Sequence, residues 1–286
     1  MKPWLRWTVR VLAGLVLLLI ISVGMVYAIS GSRMAPVEGT PHAVDASNAN
    51  IAEGQRLANA FGCTACHGGN LGGTVLIDAM PFAILPASNL TAGRSGGALT
   101  DAQWELGVRH GIGFDGRPLF IMPSPEYSRL SDAHLSSIMA WARTLPAVEN
   151  PLPDRAFGPI GRMVIALGQL PPAPAVIPAD VQHLQTVPAP TAEFGFYLTR
   201  LCLGCHGADL RGGPPDRTEP PSGPDLSPAG NLGTWNEAEF VQALRTGRRP
   251  DGTMLNDSIM PWQALRNLND VELTAIRAYL STLPAS

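Results

Sequence analysis

Hydrophobic and polar positions change rhythm three times along the chain. Residues Val11 to Ile29 form an uncharged apolar run of 19 residues, preceded by Lys2, Arg6 and Arg10. At about 1.5 Å per helical residue such a run spans roughly 28 Å, the thickness of a bilayer core. Basic residues ahead of the run predict a cytoplasmic N-terminus and an exported body. A cleaved signal peptide is the rival reading, since Val26-Tyr27-Ala28 resembles a small-residue cleavage site. The run exceeds the usual signal core, which favours a retained anchor over residues 1–33.

Beyond residue 47 the pattern becomes amphipathic and occurs twice. "LTDAQWELGVRHG" (99–111) answers to "WNEAEFVQALRTG" (235–247), and "MPSPEYSRLSDAHLSSIMAWARTLP" (122–146) to "MPWQALRNLNDVELTAIRAYLSTLP" (260–284). Each unit predicts three helices. The first leads into a Cys-x-x-Cys-His motif. The second starts at Thr100 or Asn236 with an acidic residue, Asp101 or Glu237, in its first turn. The third starts after Ser131-Asp132 or Asn269-Asp270. Leu135, Ile138 and Trp141 recur there at helical spacing, as do Leu273, Ile276 and Tyr279, and these stripes read as core. A duplication accounts for this: an all-α protein with domains at 48–148 and 189–286, a linker at 34–47, and a connector at 149–188. Residues 149–190 hold nine of the 27 prolines, interrupted by the apolar "MVIALG" (163–168). The segment is expected to be stiff and to pack across the two domains.

Charge and cysteine content narrow the chemistry. The net charge of −3 offers no footprint for nucleic acid. Four basic and no acidic residues fall in 1–33, so the exported body is the acidic part. The four cysteines are all used in Cys63-Thr64-Ala65-Cys66-His67 and Cys202-Leu203-Gly204-Cys205-His206. A shared Cys₄ zinc site would need the two pairs to meet, although they occupy equivalent positions of separate domains. A thiol–disulfide couple has no use for the histidine. Covalent haem explains both parts: two thioether bonds from Cys63 and Cys66 or Cys202 and Cys205, with His67 or His206 under the iron.

The sixth ligand follows from the repeat. The second unit holds no histidine besides His206, which leaves Met260 or Met254. Met80, Met122 and Met139 are the candidates in the first. Met122 and Met260 occupy matching positions before a proline that holds the chain extended, and these two are expected to ligate. Met80, Met139 and Met254 read as fillers of core gaps. His110 and His134 align with Thr246 and Glu272 and are expected at the surface with no common role. The glycines after His67 are expected to let the backbone approach the haem closely.

On these motifs the chain resembles tandem class I cytochromes c. Its "CHGADLRGG" and "MPWQALRNLNDVELTAIRAYL" segments are similar to cytochrome c subunits of membrane-bound alcohol and aldehyde dehydrogenases. In that family a proline carbonyl orients the proximal histidine. Pro224 matches that position, whereas Ser88 aligns with it in the first unit, so the resemblance implies less certain support for His67 and two unlike haems. It also implies one-electron transfer without catalysis. The setting would be the bacterial cytoplasmic membrane, crossed once, with the haem domains on the periplasmic side. The redox partner would be a dehydrogenase, a quinol-oxidising complex or a terminal oxidase. A di-haem peroxidase is the rival; it needs an exchangeable sixth position, which paired methionines disfavour. A gas sensor or structural subunit is disfavoured for the same reason.

Overall fold

The computed structural model describes residues 2–285 except 96, 179, 180, 182, 186, 213–222 and 258. Helix α1 runs Pro3–Met34 and is exposed over its apolar length. The first repeat holds α2 (Ile51–Ala60), α3 (Cys63–His67), α4 (Asp101–His110), α5 (Ser124–Tyr127) and α6 (Asp132–Ala142). The connector contributes α7 (Pro159–Ala166). The second repeat holds α8 (Ala192–Leu198), a 3₁₀ turn (Thr199–Cys202), α9 (Leu203–His206), α10 (Glu237–Thr246), α11 (Trp262–Leu265) and α12 (Asp270–Leu280).

Local chemistry sets the helix ends. Thr100 with Gln103, Asn236 with Glu239 and Asn269 with Glu272 form reciprocal capping boxes, each satisfying two amide donors that a helix start leaves open. Helices α4 and α10 both stop at a left-handed glycine, Gly111 (φ 67°) and Gly247 (φ 72°). The second and third helices of each unit therefore begin where the caps predict. The first does not run unbroken into the motif. It breaks at Phe61-Gly62 in the first repeat and tightens into the 3₁₀ turn in the second.

The repeat extends to packing detail. A β-carbon placed on Gly54 would sit 2.0 Å from the Ser137 carbonyl oxygen and 2.8 Å from Trp141 Cβ; on Gly195 it would sit 1.9 Å from Ala275 O and 2.7 Å from Tyr279 Cβ. Helices α2 and α6, and likewise α8 and α12, thus cross backbone to backbone, which only glycine permits. Arg109 donates to Leu130 O and pairs with Asp132 at 2.7 Å. Its equivalent Arg245 donates to Leu268 O and pairs with Asp270, also at 2.7 Å. Both clamp the second helix of a unit to the start of the third.

The first repeat also carries a three-stranded antiparallel sheet in the order β1 (Thr74–Ala79), β2 (Ala83–Ala87), β3 (Ala156–Phe157), with Thr74 opposite Ala87 and Ala83 opposite both Ala79 and Phe157. The corresponding stretch of the second repeat falls on 213–222, outside the described residues.

The two repeats meet in reciprocal fashion: α5 lies on the 3₁₀ turn of the second repeat, and its counterpart α11 lies on α2 of the first. One buried cluster runs through both, including Leu57, Leu135, Leu198 and Leu273. At the seam Arg56 pairs with Glu272 at 2.6 and 2.8 Å, and Tyr197 Oη lies 2.7 Å from His134 Nδ1. Arg56 and Tyr197 stand two residues after the crossing glycines, and His134 and Glu272 are likewise equivalent. His134 is therefore not a surface residue without a counterpart. Both positions join the repeats, one by an ion pair and one by a neutral hydrogen bond.

The connector also departs from expectation. Among the described residues it bonds the first repeat at several points: Asn150 to Gly72 O and Gly73 O, Arg155 to Pro118 O, Gly158 N to Phe82 O, Ala173 N to Leu119 O and Leu184 N to Arg129 O. Its apolar stretch forms α7, which packs on α1 instead of bridging the repeats. Arg33 donates to Ile165 O, Arg162 lies 4.8 Å over the Tyr27 ring, and Ser30 is fully buried there.

Candidate functional site

Each Cys-x-x-Cys-His motif occupies about one helical turn, so the second cysteine and the histidine sit three and four residues after the first and share a face. The two faces line two separate cavities. The first, about 160 Å³, is lined by Cys63, Cys66, His67 and Met122 together with Leu76, Leu85, Trp104, Phe120, Ile138 and Arg155. The second, about 460 Å³, is lined by Cys202, Cys205, His206, Met260, Leu232, Trp235, Phe240, Leu255, Ile259 and Arg249. The cysteine pairs thus belong to different cavities, as the argument against a shared zinc site required. Burial pushes the Cys63 and Cys202 thiols up to about 12, which disfavours the thiolate that redox exchange needs.

The loop after each histidine is built the same way. Gly73 N donates to His67 O and Gly212 N to His206 O, both at 2.8 Å; Leu90 N bonds Leu71 O and Leu226 N bonds Leu210 O. Leu71 (φ 55°) and Leu210 (φ 62°) are the left-handed residues of this turn. It brings a carbonyl to each imidazole: His67 Nδ1 lies 2.7 Å from Ser88 O, and His206 Nδ1 lies 2.8 Å from Pro224 O. A carbonyl only accepts, so each Nδ1 carries the hydrogen and each Nε2 keeps its lone pair. Burial holds both imidazoles below their ordinary pKa, which keeps that lone pair available near neutrality. Serine thus serves His67 as proline serves His206, because the backbone oxygen does the orienting. The weaker support expected for His67 is not found.

Gly68 and Gly73 take φ of 82° and 85°, and a β-carbon on Gly73 would approach Ala87 O to 2.7 Å. They let the loop turn left-handed and pass its own chain closely. Met139 is buried as a core filler should be, but Met80 and Met254 are more than half exposed and fill no gap. Met122 and Met260 each line the cavity of their own histidine, at the start of the turn in which Ser124 N bonds Met122 O and Trp262 N bonds Met260 O.

Sequence reasoning missed several residues. Ser88 stands at the aligned position, where its backbone carbonyl orients His67 without a proline. Leu76 and Leu85 reach the first cavity from the β-hairpin, and Arg155 reaches it from the connector. Arg155 donates to Pro118 O at 2.6 Å, a contact between segments that carry no local signal. The donor set and apolar walls fit a flat iron porphyrin in each cavity: two sulfurs and one imidazole on a single turn, a thioether on another loop, and one arginine for an anionic edge.

The cytochrome c family model matches residues 51–146 and 195–284. Among curated proteins, the chain is 27% identical over 285 residues to the fructose dehydrogenase cytochrome subunit of Gluconobacter japonicus, covering 88% of this chain and 56% of that one. It is 28% identical over 270 residues to the cytochrome c subunit of the quinone alcohol dehydrogenase of Gluconacetobacter polyoxogenes, covering 84% and 57%. With the gluconate 2-dehydrogenase cytochrome c subunit of Pantoea cypripedii it shares 28% over 273 residues, covering 84% and 61%. The chain spans little more than half the length of these relatives.

Proposed function

Because the chain belongs to the cytochrome c family, with its domain present in tandem, we propose that it carries two covalent c-type haems and relays single electrons beside a membrane-bound dehydrogenase. One observation carries this reading: each of two separate cavities is lined by its own Cys-x-x-Cys-His turn and its own methionine. Cys63 and Cys66 would hold one haem and Cys202 and Cys205 the other. His67 with Met122, and His206 with Met260, would be the axial ligands. When bound, the iron supplies a one-electron couple, and a methionine ligand places it at higher potential than a second histidine would. The chain's own part is to fix the imidazoles through the Ser88 and Pro224 carbonyls and to keep water away with apolar walls. Arg155 and Arg249 offer cations for the haem carboxylates.

The dehydrogenase subunits among the relatives support a partner of that class, and the electron-transfer role makes this chain a conduit and not the catalyst. The anchor reading gains support from α7. At the end of α1, Ser30 and Arg33 are engaged by Arg162 and Ile165, and Tyr27 by Arg162; cleavage after Ala28 would remove the Tyr27 contact. A single-pass protein with its haem domains in the periplasm follows.

The test counts haem and ligands. Pyridine haemochrome and iron analysis of the purified full chain should give two haems per chain. Cys205→Ala with Cys202→Ala should leave one. The near-infrared methionine–iron charge-transfer band should fall by half in Met260→Ala, and an unchanged band would overturn the ligand assignment.

A further inference from the structure

Two imidazoles flank one buried carboxylate on the first repeat and a third packs on their rings, all at residues that line neither haem cavity. Glu105 on α4 is fully buried. Its Oε1 lies 3.0 Å from His110 Nε2 and 3.6 Å from His183 Nε2, and the ligand atoms of the three residues all lie within 4.8 Å of one another. The exposed His42 stacks on His110 with ring centroids 6.2 Å apart and meets His183 edge-on at 5.2 Å. Three segments far apart in the chain converge here: the linker, α4 and the connector.

Protonation exposes what is missing. His183 Nδ1 lies 3.1 Å from Ser128 O, so Nδ1 carries the hydrogen and Nε2 turns a lone pair toward Glu105 Oε1. Two acceptors then face each other out of water and repel unless a cation sits between them. Arg109 donates through Nη2 to Asp132 and Leu130 O, while its Nε and Nη1 have no hydrogen-bond partner among the described residues. Glu105 Oε2 and His183 Nε2 have no hydrogen-bond partner among the described residues. A buried polar atom left so is destabilising.

We propose that this cluster is a metal site for one divalent ion of the zinc class, with His110 Nε2, His183 Nε2 and the Glu105 carboxylate as ligands and His42 as the fourth. In a tetrahedral site with bonds of about 2.0–2.1 Å, neighbouring ligand atoms lie about 3.3 Å apart. The observed 3.0 and 3.6 Å straddle that spacing. A ligand imidazole whose other nitrogen donates to a backbone carbonyl is the arrangement His183 makes with Ser128. Imidazoles with one carboxylate suit zinc or copper(II) and not magnesium or calcium, which take oxygen. Glu105 and His110 correspond to Val241 and Thr246, so the second repeat does not reproduce the site. The ion would pin the linker and the connector to α4.

The test uses the full haem-loaded chain in detergent, stripped with a chelator and titrated with zinc. Bound zinc is counted against haem iron by elemental analysis, and its ligands are read from the zinc absorption edge. One zinc per chain with nitrogen and oxygen ligands is expected. Glu105→Gln and His183→Ala should each weaken binding tenfold or more, and His42→Ala several-fold, with haem spectra unchanged. His42 is exposed, so its variant carries the test even if Glu105→Gln fails to assemble. No bound zinc, or equal affinity in every variant that folds, overturns the site.

Discussion

The two repeats place different chemistry on one geometry. At the seam, the position that is Arg56 with Glu272 on one side is Tyr197 with His134 on the other. At His67 and His206 the same carbonyl comes from Ser88 in one and Pro224 in the other. The backbone crossing at Gly54 and Gly195, by contrast, is identical. Where backbone meets backbone the repeats have no latitude. Where a side chain need only supply a donor or an acceptor, several residues serve.

The sharpest way to break the comparison is at the point of identity. Gly54→Val and Gly195→Val should each cost more than about 3 kcal/mol, because a β-carbon would press into a carbonyl oxygen that neither helix can move away. Thermal melts followed by haem absorbance should show similar losses on both sides. Melting points within a degree or two of the parent would sink the claim that these crossings are fixed.

At the seam the two sides should differ. Glu272→Ala removes a buried carboxylate, leaves Arg56 only the Asn267 carbonyl across the seam and opens the α12 capping box. About 2–3 kcal/mol is expected in denaturant melts, against about 1 kcal/mol for Tyr197→Phe. Equal losses would show that the ion pair gains nothing over the neutral bond.

The His134 side should respond to mild acid. Burial, with Arg56 nearby, pushes His134 from its ordinary 6.5 down to about 4. Between those values the unfolded chain binds the proton and the folded chain does not, so stability falls as pH drops from 6.5 toward 4. The loss amounts to about 2–3 kcal/mol at the acid end. His134→Gln should flatten that limb in a pH series of melts. A limb of the same depth in the variant would place the titrating group elsewhere.

The smallest effect is expected where the residues differ but the atom does not. Pro224→Ala keeps the carbonyl that accepts from His206 and should lose only about 0.4–1 kcal/mol, from greater freedom of the unfolded chain. The haem spectrum should stay unchanged. A shifted methionine band would show that the ring itself matters.

How much could be read from the chain follows the range of each interaction. Thr100, Asn236 and Asn269 announced their helices because a capping box closes within three residues. The β-hairpin went unread: its strands contain Pro86 and a bulge between Val75 and Ile77, and no described counterpart in the second repeat echoes it. "MVIALG" read as inter-domain packing because an apolar run does not name its partner, which proved to be α1. His134 read as exposed for the same reason.

By itself the sequence determined the duplication, the helix caps and the two Cys-x-x-Cys-His turns, since helical geometry places residues three and four apart on one face wherever the helix lies. Tertiary structure alone decided which serine carbonyl meets His67, that Arg155 closes the first cavity, and that Glu105, His110 and His183 converge. It also decided the seam, where Arg56 finds Glu272 across 216 positions of chain. Such pairs form only after loops have closed and apolar surfaces have packed, and no spacing along the chain encodes which side chains then face each other.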